Sequence, residues 1–171
     1  MANAIPGATA ISLCKLSILD SIRAMLTVAG AEFREVHHEP TRTSEDSARV
    51  RGEELRVGGK ALLLKVDDTF RLFVLSADRK MDNSAVKLRF NAKKIRFATP
   101  EELFEKTALV PGSVPPFGEP ILALPLYVDP GVFENPRVAF NAGSLTDSIV
   151  LKIDDYARLA VYESFPFSQQ S

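Results

Sequence analysis

A lysine behind two glycines and a loop rich in glycine and proline are the features of this chain best suited to chemistry. Lys60 follows Gly58 and Gly59 at the start of an apolar run typical of a buried strand. The two glycines free the backbone for close approach, so the lysine can be brought against another segment. The loop "GSVPPFG" starts at Gly112, and its two prolines fix φ and stiffen the chain. Such a loop can direct peptide N–H groups at an oxygen that gains negative charge.

Both features also have a purely structural interpretation. A lysine at a strand start is usually solvated, and a loop of glycine and proline is usually only a turn. Lys60 is also a poor general base, because the reference pKa of lysine is about 10.4. The residue types therefore favour an electrostatic role for Lys60.

The remaining residues of chemical interest carry weaker signals. His37 and His38 are adjacent on a predicted strand, and no cluster of acids and histidines at metal-ligand spacing accompanies them. Cys14 is the only cysteine, which excludes an internal disulfide and a cysteine metal cage and favours a small core residue over a nucleophile. Neither GxxxxGK[ST] nor GxGxxG occurs, which argues against nucleotide hydrolysis and dinucleotide chemistry. We predict no metal and no cofactor.

The composition is that of an ordinary globular domain. Of 171 residues, 46% are hydrophobic and 25% are charged, which suits one domain with a real core. The net charge of −1 provides no global basic field, so contact with nucleic acid needs a local patch. The N-terminus lacks the features of a signal peptide, and no stretch approaches the roughly 18 apolar residues of a membrane span. Together with the single cysteine, these features predict a cytoplasmic protein without a membrane partner.

A local patch of positive charge is present in residues 79–96, "RKMDNSAVKLRFNAKKIR", which we call the basic segment. Seven basic residues face one acid there. A solvated helix face is one interpretation, and contact with a phosphate backbone is the other. The phosphate interpretation assigns RNA backbone contacts to Lys87, Arg89, Lys93 and Lys94. The arginines of "RTSEDSARVRGEELR" are balanced by acids, so we predict no patch there.

Helices and strands are interspersed along the chain. Helices are predicted over residues 13–29, 44–54, 84–90, 99–107 and 154–160. Thr43 is the predicted cap of the helix over residues 44–54. The helix over residues 99–107 has a Thr99–Glu102 capping box, with Pro100 in the first helical position. Strands are predicted over residues 32–39, 60–66, 70–78, 93–98, 121–129, 137–143 and 148–153. This order predicts one α+β domain with a mixed sheet. Residues 1–12 and 165–171 are expected to be flexible.

In their order and spacing, these motifs resemble the YbaK family, also called the prolyl-tRNA synthetase-associated editing domain. The resemblance spans residues 33–159. It includes "HEPTRTSEDSA", "GKALLLK" with Lys60 in the place of the family's lysine, "DRKMDNSAVKLRF", "KKIRFATPEEL", the GxxxP signature as "GSVPP", then "LYVD" and "FNAG". The resemblance implies that residues 1–171 form a single editing domain, with a strongly curved mixed sheet flanked by helices.

The resemblance also implies an activity, the hydrolysis of the ester that joins a wrong small amino acid to tRNA, usually tRNA for proline. Small apolar differences give a synthetase only about 1–3 kcal/mol of discrimination, so a second hydrolytic site is needed. The implied partners are the 3′ acceptor end of aminoacyl-tRNA and a synthetase. The implied catalytic residues are Lys60, Gly112, Ser113 and Val114, with loop amides as oxyanion donors. The implied substrate contacts are Pro116, Phe117, Gly118, Thr41, Thr43, Asn141, Ala142 and Gly143.

The amino acid that is removed is less well defined. In the alanine-editing branch an asparagine follows the key lysine and a histidine stands near position 141, whereas this chain has Ala61 and Asn141. The "NAG" turn is closer to cysteine-editing or serine/threonine-editing relatives, with Ser144 and Thr146 as further hydroxyl candidates. Two other functions stay open, a non-catalytic tRNA-binding module with the same fold and a small-molecule esterase.

Overall fold

The structure, a computed structural model, describes residues 16–171, which form five α-helices and ten strands. The helices are α1 (Ile18–Val28), α2 (Ser44–Arg51), α3 (Asn83–Phe90), α4 (Pro100–Thr107) and α5 (Ile153–Leu159). The strands are β1 (Phe33–His37), β2 (Gly59–Val66), β3 (Thr69–Ser76), β4 (Arg79–Met81), β5 (Ile95–Phe97), β6 (Leu126–Val128), β7 (Arg137–Asn141), β8 (Asp147–Lys152), β9 (Glu163–Ser164) and β10 (Ser168–Gln170). Short 3-10 helices lie at Leu55–Val57 and Pro130–Glu134.

The helix starts follow from capping side chains. The predicted cap of α2 by Thr43 is confirmed, and α4 has the predicted capping box, in which Thr99 and Glu102 each bond the other's backbone N–H. The helix predicted over residues 13–29 is confirmed for Ile18–Val28. Its first residues, including Cys14, and the segment 1–12 lie outside the described part of the chain.

Hydrogen bonding divides the strands into three sheets instead of one continuous sheet. Strands β1, β8 and β7 form an antiparallel sheet in that order, and β10 pairs with β4. The largest sheet has the order β5-β2-β3-β6-β9 and is mixed, because β6 runs parallel to both neighbours. An isolated parallel bridge from Gly58 to Ala139 joins the start of β2 to β7. The prediction of one α+β domain with a mixed sheet and flanking helices is confirmed.

The five-stranded sheet is buried on both faces, which explains the apolar run in β2 and β3. Leu72 and Val74 of β3 face the larger core, made with α1, α4, α5 and the three-stranded sheet. Phe73 and Leu75 alternate to the other face and pack in a smaller core with Val86 of α3. No helix within residues 16–171 is long and apolar enough to cross a membrane.

The C-terminal segment differs from its prediction. Flexibility is expected over residues 165–171, but Ser168–Gln170 pairs with β4 and Phe167 is buried in the smaller core. The Phe167 amide also donates to Oδ2 of the buried Asp129 at 2.8 Å. Apolar contact and a buried hydrogen bond therefore hold a segment that was expected to be flexible. The strand predicted over residues 121–129 is shorter than expected, at Leu126–Val128, because a turn precedes it.

Candidate active site

One wall of the candidate active site is a face of α2. Thr43 Oγ1 accepts a hydrogen bond from the Asp46 amide at 3.1 Å and sets the start of the helix. From that start, Ser44, Ser47 and Arg51 are spaced i, i+3 and i+7, which places them on the same face. All three residues line one cavity.

The two glycines before Lys60 permit the close packing of a second wall. A Cβ on Gly58 would stand 2.9 Å from the Cβ of Ala77, and a Cβ on Gly59 would stand 2.7 Å from Cγ2 of Val138. Any side chain at either position would force these segments apart. The glycines thus bring the start of β2 against β7 and set Lys60 at the cavity.

Lys60 is half-buried and hydrogen-bonded, unlike a solvated strand-end lysine. Its Nζ donates to the carbonyl oxygen of Arg79 at 2.9 Å. Burial lowers the pKa of the Lys60 ammonium, and the charges of Asp78 and Glu45 oppose this shift in part. The lysine is therefore a fixed, partly desolvated cation.

The loop at Gly112 forms the third wall and carries two free amides. Gly112 has φ +85°, a conformation that favours glycine. The amide and the hydroxyl of Ser113 both donate to the carbonyl of Val110, at 3.1 and 2.7 Å, so a tight turn uses the Ser113 donors. Within residues 16–171, no group accepts a hydrogen bond from the amides of Gly112 and Val114. Both residues line the cavity, which makes these two amides the candidate oxyanion donors of the loop.

A buried polar network joins α2 and the end of β7 to this loop. Arg51 donates from Nη2 to Asn141 Oδ1 at 2.9 Å and from Nε to Ser148 Oγ at 2.9 Å. Asn141 Nδ2 in turn donates to the Gly112 carbonyl at 2.8 Å. Arg51 is only 8% exposed, and burial lowers the pKa of its guanidinium to about 10. It therefore remains cationic at neutral pH.

The three walls border a cavity of about 250 Å³ that is open to solvent on one side. Its lining contains three cationic residues, and none of the lining residues is an aspartate, glutamate or histidine. The cavity therefore suits a ligand with negative or developing negative charge. The lining residues are Thr41, Arg42, Thr43, Ser44, Ser47, Arg51, Gly58, Gly59, Lys60, Ala61, Leu62, Ala77, Gly112, Val114 and Asn141.

Half of the twelve predicted catalytic and substrate-binding residues meet at this cavity. Those that line it are Lys60, Gly112, Val114, Thr41, Thr43 and Asn141. Those that do not line it are Ser113, Pro116, Phe117, Gly118, Ala142 and Gly143.

The residues away from the cavity hold the loop from behind. The Phe117 ring packs edge-on against Phe140 and Tyr156 in the core, and the Tyr156 hydroxyl donates to the Pro116 carbonyl at 2.8 Å. The Gly143 amide donates to the Ser113 carbonyl at 2.9 Å. Ala142 is fully buried, and a Cβ on Gly118 would stand 2.7 Å from the Leu124 carbonyl oxygen. These positions shape and anchor the loop.

Some of the residues predicted to contact the substrate through a hydroxyl line the cavity, and others do not. Thr41 Oγ1 lies at the cavity, 2.7 Å from Ser47 Oγ. Ser144 and Thr146 instead bond each other at 2.9 Å in the turn before β8 and do not line the cavity. A hydroxyl-rich wall is therefore built by α2 and the residues before it.

Lys93 and Lys94, near the end of the basic segment, lie away from the cavity, whereas the carbonyl of Arg79 at its start accepts the hydrogen bond from Lys60. The amides of Lys93 and Lys94 donate to Asp67 Oδ1 in the turn after β2, at 3.0 and 2.9 Å. Lys60 is at the other end of β2, roughly 20 Å away at about 3.3 Å per residue. Arg89 forms an ion pair with Glu163 at 3.2 Å, whereas the exposed lysines of this segment have no ion pair within residues 16–171.

The histidines have structural partners. His37 Nδ1 lies 2.8 Å from Asp147 Oδ1 across the β1–β8 pair, and His38 Nε2 lies 2.7 Å from Ser148 Oγ. In the part of the chain from residue 16 onward, no group of three or more His, Cys, Asp or Glu side chains could hold a metal ion.

Arg51 and Arg42 are the charged residues of the cavity lining that sequence reasoning missed. The balance of charges assigns the arginines of their segment to a solvated surface, but charge balance along the chain does not show which arginine is buried. The spacing of Ser44, Ser47 and Arg51 was the available signal, since small hydroxyl residues and a cation share one helix face there.

Comparisons with known proteins show which family this chain resembles. Residues 38–159 match the family profile described as an aminoacyl-tRNA editing domain. The chain is 38% identical over 150 residues to the "Multifunctional Ser/Thr-tRNA deacylase ProXp-y" of Escherichia coli (strain K12), covering 84% of this chain and 89% of that protein. It is 29% identical over 101 residues to a proline–tRNA ligase of Shouchella clausii (strain KSM-K16), covering 59% of this chain and 18% of the ligase.

The fold is also shared with solved structures. A crystal structure of a chain proposed as a trans-editing enzyme for prolyl tRNA synthetase has a TM-score of 0.76 at 24% identity, covering 91% of this chain and 99% of that chain. The profile match spans most of the chain, and the similarity to the Escherichia coli relative extends over 84% of it. The protein therefore belongs to the aminoacyl-tRNA editing domain family.

Proposed function

We propose that this protein hydrolyses the ester bond between a small amino acid and the 3′ end of tRNA. The observation that supports this most directly is the cavity that Lys60 shares with Gly112 and Val114, whose amides are free within residues 16–171. Membership of the editing domain family supports the choice of an aminoacyl ester as substrate.

The geometry suggests how the ester is cleaved. A water oxygen bonds to the carbonyl carbon, and the carbonyl oxygen becomes an oxyanion that the Gly112 and Val114 amides bind. Each such donor typically contributes about 10²–10³ in rate. The Lys60 ammonium stabilises this charge or holds a phosphate of the terminal adenosine. The bond to the ribose oxygen then breaks, and that oxygen takes up the proton given up by the water.

The proton needs an acceptor that the cavity lining does not provide. Within residues 16–171, neither a carboxylate nor an imidazole lines the cavity, and Lys60 Nζ is engaged in a hydrogen bond to the Arg79 carbonyl. We infer that a hydroxyl or thiol of the substrate itself assists the water. This mechanism requires no metal or cofactor.

The cavity favours serine or threonine as the amino acid removed. Its lining includes the hydroxyls of Thr41, Ser44 and Ser47, which can bond a substrate hydroxyl, and the small residues Ala61 and Ala77, which leave room for a short side chain. The Escherichia coli relative is named a Ser/Thr-tRNA deacylase. Cysteine and alanine are the alternatives, and neither would use the hydroxyl wall.

The tRNA, the synthetase partner and the compartment are the less direct parts of the proposal. We propose tRNA for proline as a substrate and a synthetase as a partner, since part of a proline–tRNA ligase is similar to this chain. The cytoplasm is the compartment in which both occur.

A deacylation panel tests the proposal. tRNAs for proline, serine, threonine, alanine and cysteine would be charged with serine, threonine, alanine, cysteine and proline, and release of the amino acid would be followed over time. We expect release of serine or threonine. Lys60→Ala should abolish it, whereas Lys65→Ala, the same change on the same strand, should retain it because Lys65 does not line the cavity.

Two outcomes would contradict the proposal. Tight tRNA binding without release of any amino acid would indicate a binding module. Equal turnover of an aminoacyl ester that lacks tRNA, insensitive to salt, would indicate a small-molecule esterase, because phosphate contacts weaken steeply as salt rises.

A further inference from the structure

Arg51 is a buried cation without a carboxylate partner among the residues from 16 onward. It is 8% exposed, and burial alone accounts for its lowered pKa, with no acid contributing. Its bonds go to the neutral oxygens of Ser148 and Asn141. Burying a charge among neutral groups is costly, and a structural role alone would be served as well by an apolar side chain. The position of the guanidinium in the cavity wall calls for another explanation.

The hydrogen bonds of Arg51 determine which way the Asn141 amide points. Asn141 Oδ1 accepts from Arg51 Nη2 at 2.9 Å and from Ser148 Oγ at 3.0 Å. Two donors on the oxygen side force Nδ2 to the opposite side, where it bonds the Gly112 carbonyl at 2.8 Å. The Gly112 carbonyl and the Ser113 amide belong to the same peptide unit, and this unit lies between the free amides of Gly112 and Val114. The Ser113 amide is bonded within the turn, and Asn141 bonds the carbonyl, so the two bonds together fix the orientation of this peptide plane.

We propose that Arg51 is a positioning residue that holds the oxyanion loop in place through Asn141. This inference rests on the proposed function, since the loop matters for catalysis only if its amides bind an oxyanion. A misplacement of about 1 Å in such a constellation can cost about 10² in rate. Removal of the Arg51 side chain should therefore lower kcat by about 10–100-fold and leave KM for the charged tRNA nearly unchanged.

Arginine is needed because its fork donates in two directions at once. Nε and Nη2 reach Ser148 and Asn141 from one rigid plane. A lysine ammonium carries the same charge but cannot reproduce this geometry. Arg51→Lys thus separates positioning from charge, because it retains the cation and removes the fork.

A double-mutant cycle tests the proposal. Deacylation by the full chain would be measured for Arg51→Met, Arg51→Lys, Asn141→Ala and Arg51→Met/Asn141→Ala. We expect each single variant to lose about 10–100-fold in kcat and the double variant to lose no more than the worse single one, because both changes break one chain of bonds. Val86→Ala, a core change in the smaller cluster, controls for reduced stability and should retain kcat.

A second readout is independent of activity. In ¹⁵N NMR spectra without substrate, both Arg51→Met and Asn141→Ala should shift or broaden the Gly112 and Val114 amide signals and leave the α4 signals unchanged. Full activity of Arg51→Lys would overturn the proposal in favour of charge alone. Additive effects in the cycle, or unchanged loop amides, would also overturn it. If the wild-type protein released no amino acid, the NMR result would still decide the positioning claim, and only the proposed function would fail.

Discussion

The side-chain amide of Asn141 donates a hydrogen bond to the carbonyl oxygen of Gly112 at 2.8 Å, which ties the end of β7 to the loop of the candidate active site. The two residues are 29 positions apart in sequence. The bond has two consequences. It gives the loop a fixed orientation from a rigid strand, and it commits the Asn141 amide to the loop instead of to the substrate.

Removal of this bond should affect turnover more than an equivalent change elsewhere. Asn141→Ala is expected to lower kcat for aminoacyl-tRNA by at least about 10-fold and to cost about 1–3 kcal/mol of unfolding free energy, since buried partners are left without a hydrogen bond. Asn135→Ala is a matched control, because Asn135 is equally buried and donates to the Arg56 carbonyl at 3.0 Å away from the cavity. Equal reductions of kcat in both variants would show that stability alone is responsible.

A methyl group at Gly112 should slow the reaction. Gly112 has φ +85°, and a Cβ there would stand 3.3 Å from Leu145 Cδ2. Gly112→Ala is expected to cost about 1–2 kcal/mol through backbone strain and to reduce kcat/KM by about 10-fold or more as the free amide moves.

Gly30→Ala is the control for strain, since Gly30 has φ +69° and no atom within 4 Å of a Cβ. Both variants should lose similar stability in urea denaturation, and only Gly112→Ala should lose turnover. Unchanged kcat/KM in Gly112→Ala would remove the loop from the mechanism.

Lys60 should deprotonate at a lower pH than an exposed lysine. Burial disfavours its charged form and lowers its pKa, while the Glu32 carboxylate raises the pKa of Lys152. As pH rises, Lys60 therefore becomes neutral first. ¹³C NMR of the ε-methylene groups would follow both titrations in one sample, and a Lys60 midpoint at or above that of Lys152 would contradict the burial of Lys60.

The basic segment should contribute affinity for tRNA but little to the chemical step. Lys93→Gln/Lys94→Gln removes two charges roughly 20 Å from Lys60 along β2, a distance that the acceptor end of a tRNA can span. We expect a higher KM and an unchanged kcat. The slope of log K against log salt should fall by about 0.7–0.9 for each phosphate that the variant no longer neutralises.

The matched change in net charge is Lys106→Gln/Lys152→Gln, which neutralises two lysines outside the basic segment. Binding of tRNA by this variant should resemble the wild type. If both double variants weakened binding equally, the attraction would be a general charge effect, and the basic segment would have no assigned role in tRNA binding.

Local patterns in the sequence determined most of the elements. The Thr43 and Thr99 caps, the apolar run of β2 and the Gly–Lys and Gly–Pro motifs depend on neighbours within a few residues, so they can be interpreted from one chain. These signals predicted the α+β domain, whereas the resemblance to the editing domain family supplied the six predicted residues that meet at the cavity. The same resemblance paired Lys60 with the Gly112 loop, although 52 positions separate Lys60 from Gly112.

Tertiary structure alone decided what surrounds those residues. Arg51 is buried because α2 packs where β7 and β8 present Asn141 and Ser148, which charge balance along the segment could not show. Phe117 turns to the core and Gly143 to the loop because Tyr156 and Ser113 lie behind them. The C-terminal segment is ordered because β4 and Asp129 offer it partners. Burial and long-range hydrogen bonds arise between segments distant in sequence, and they assign the roles that residue types leave open.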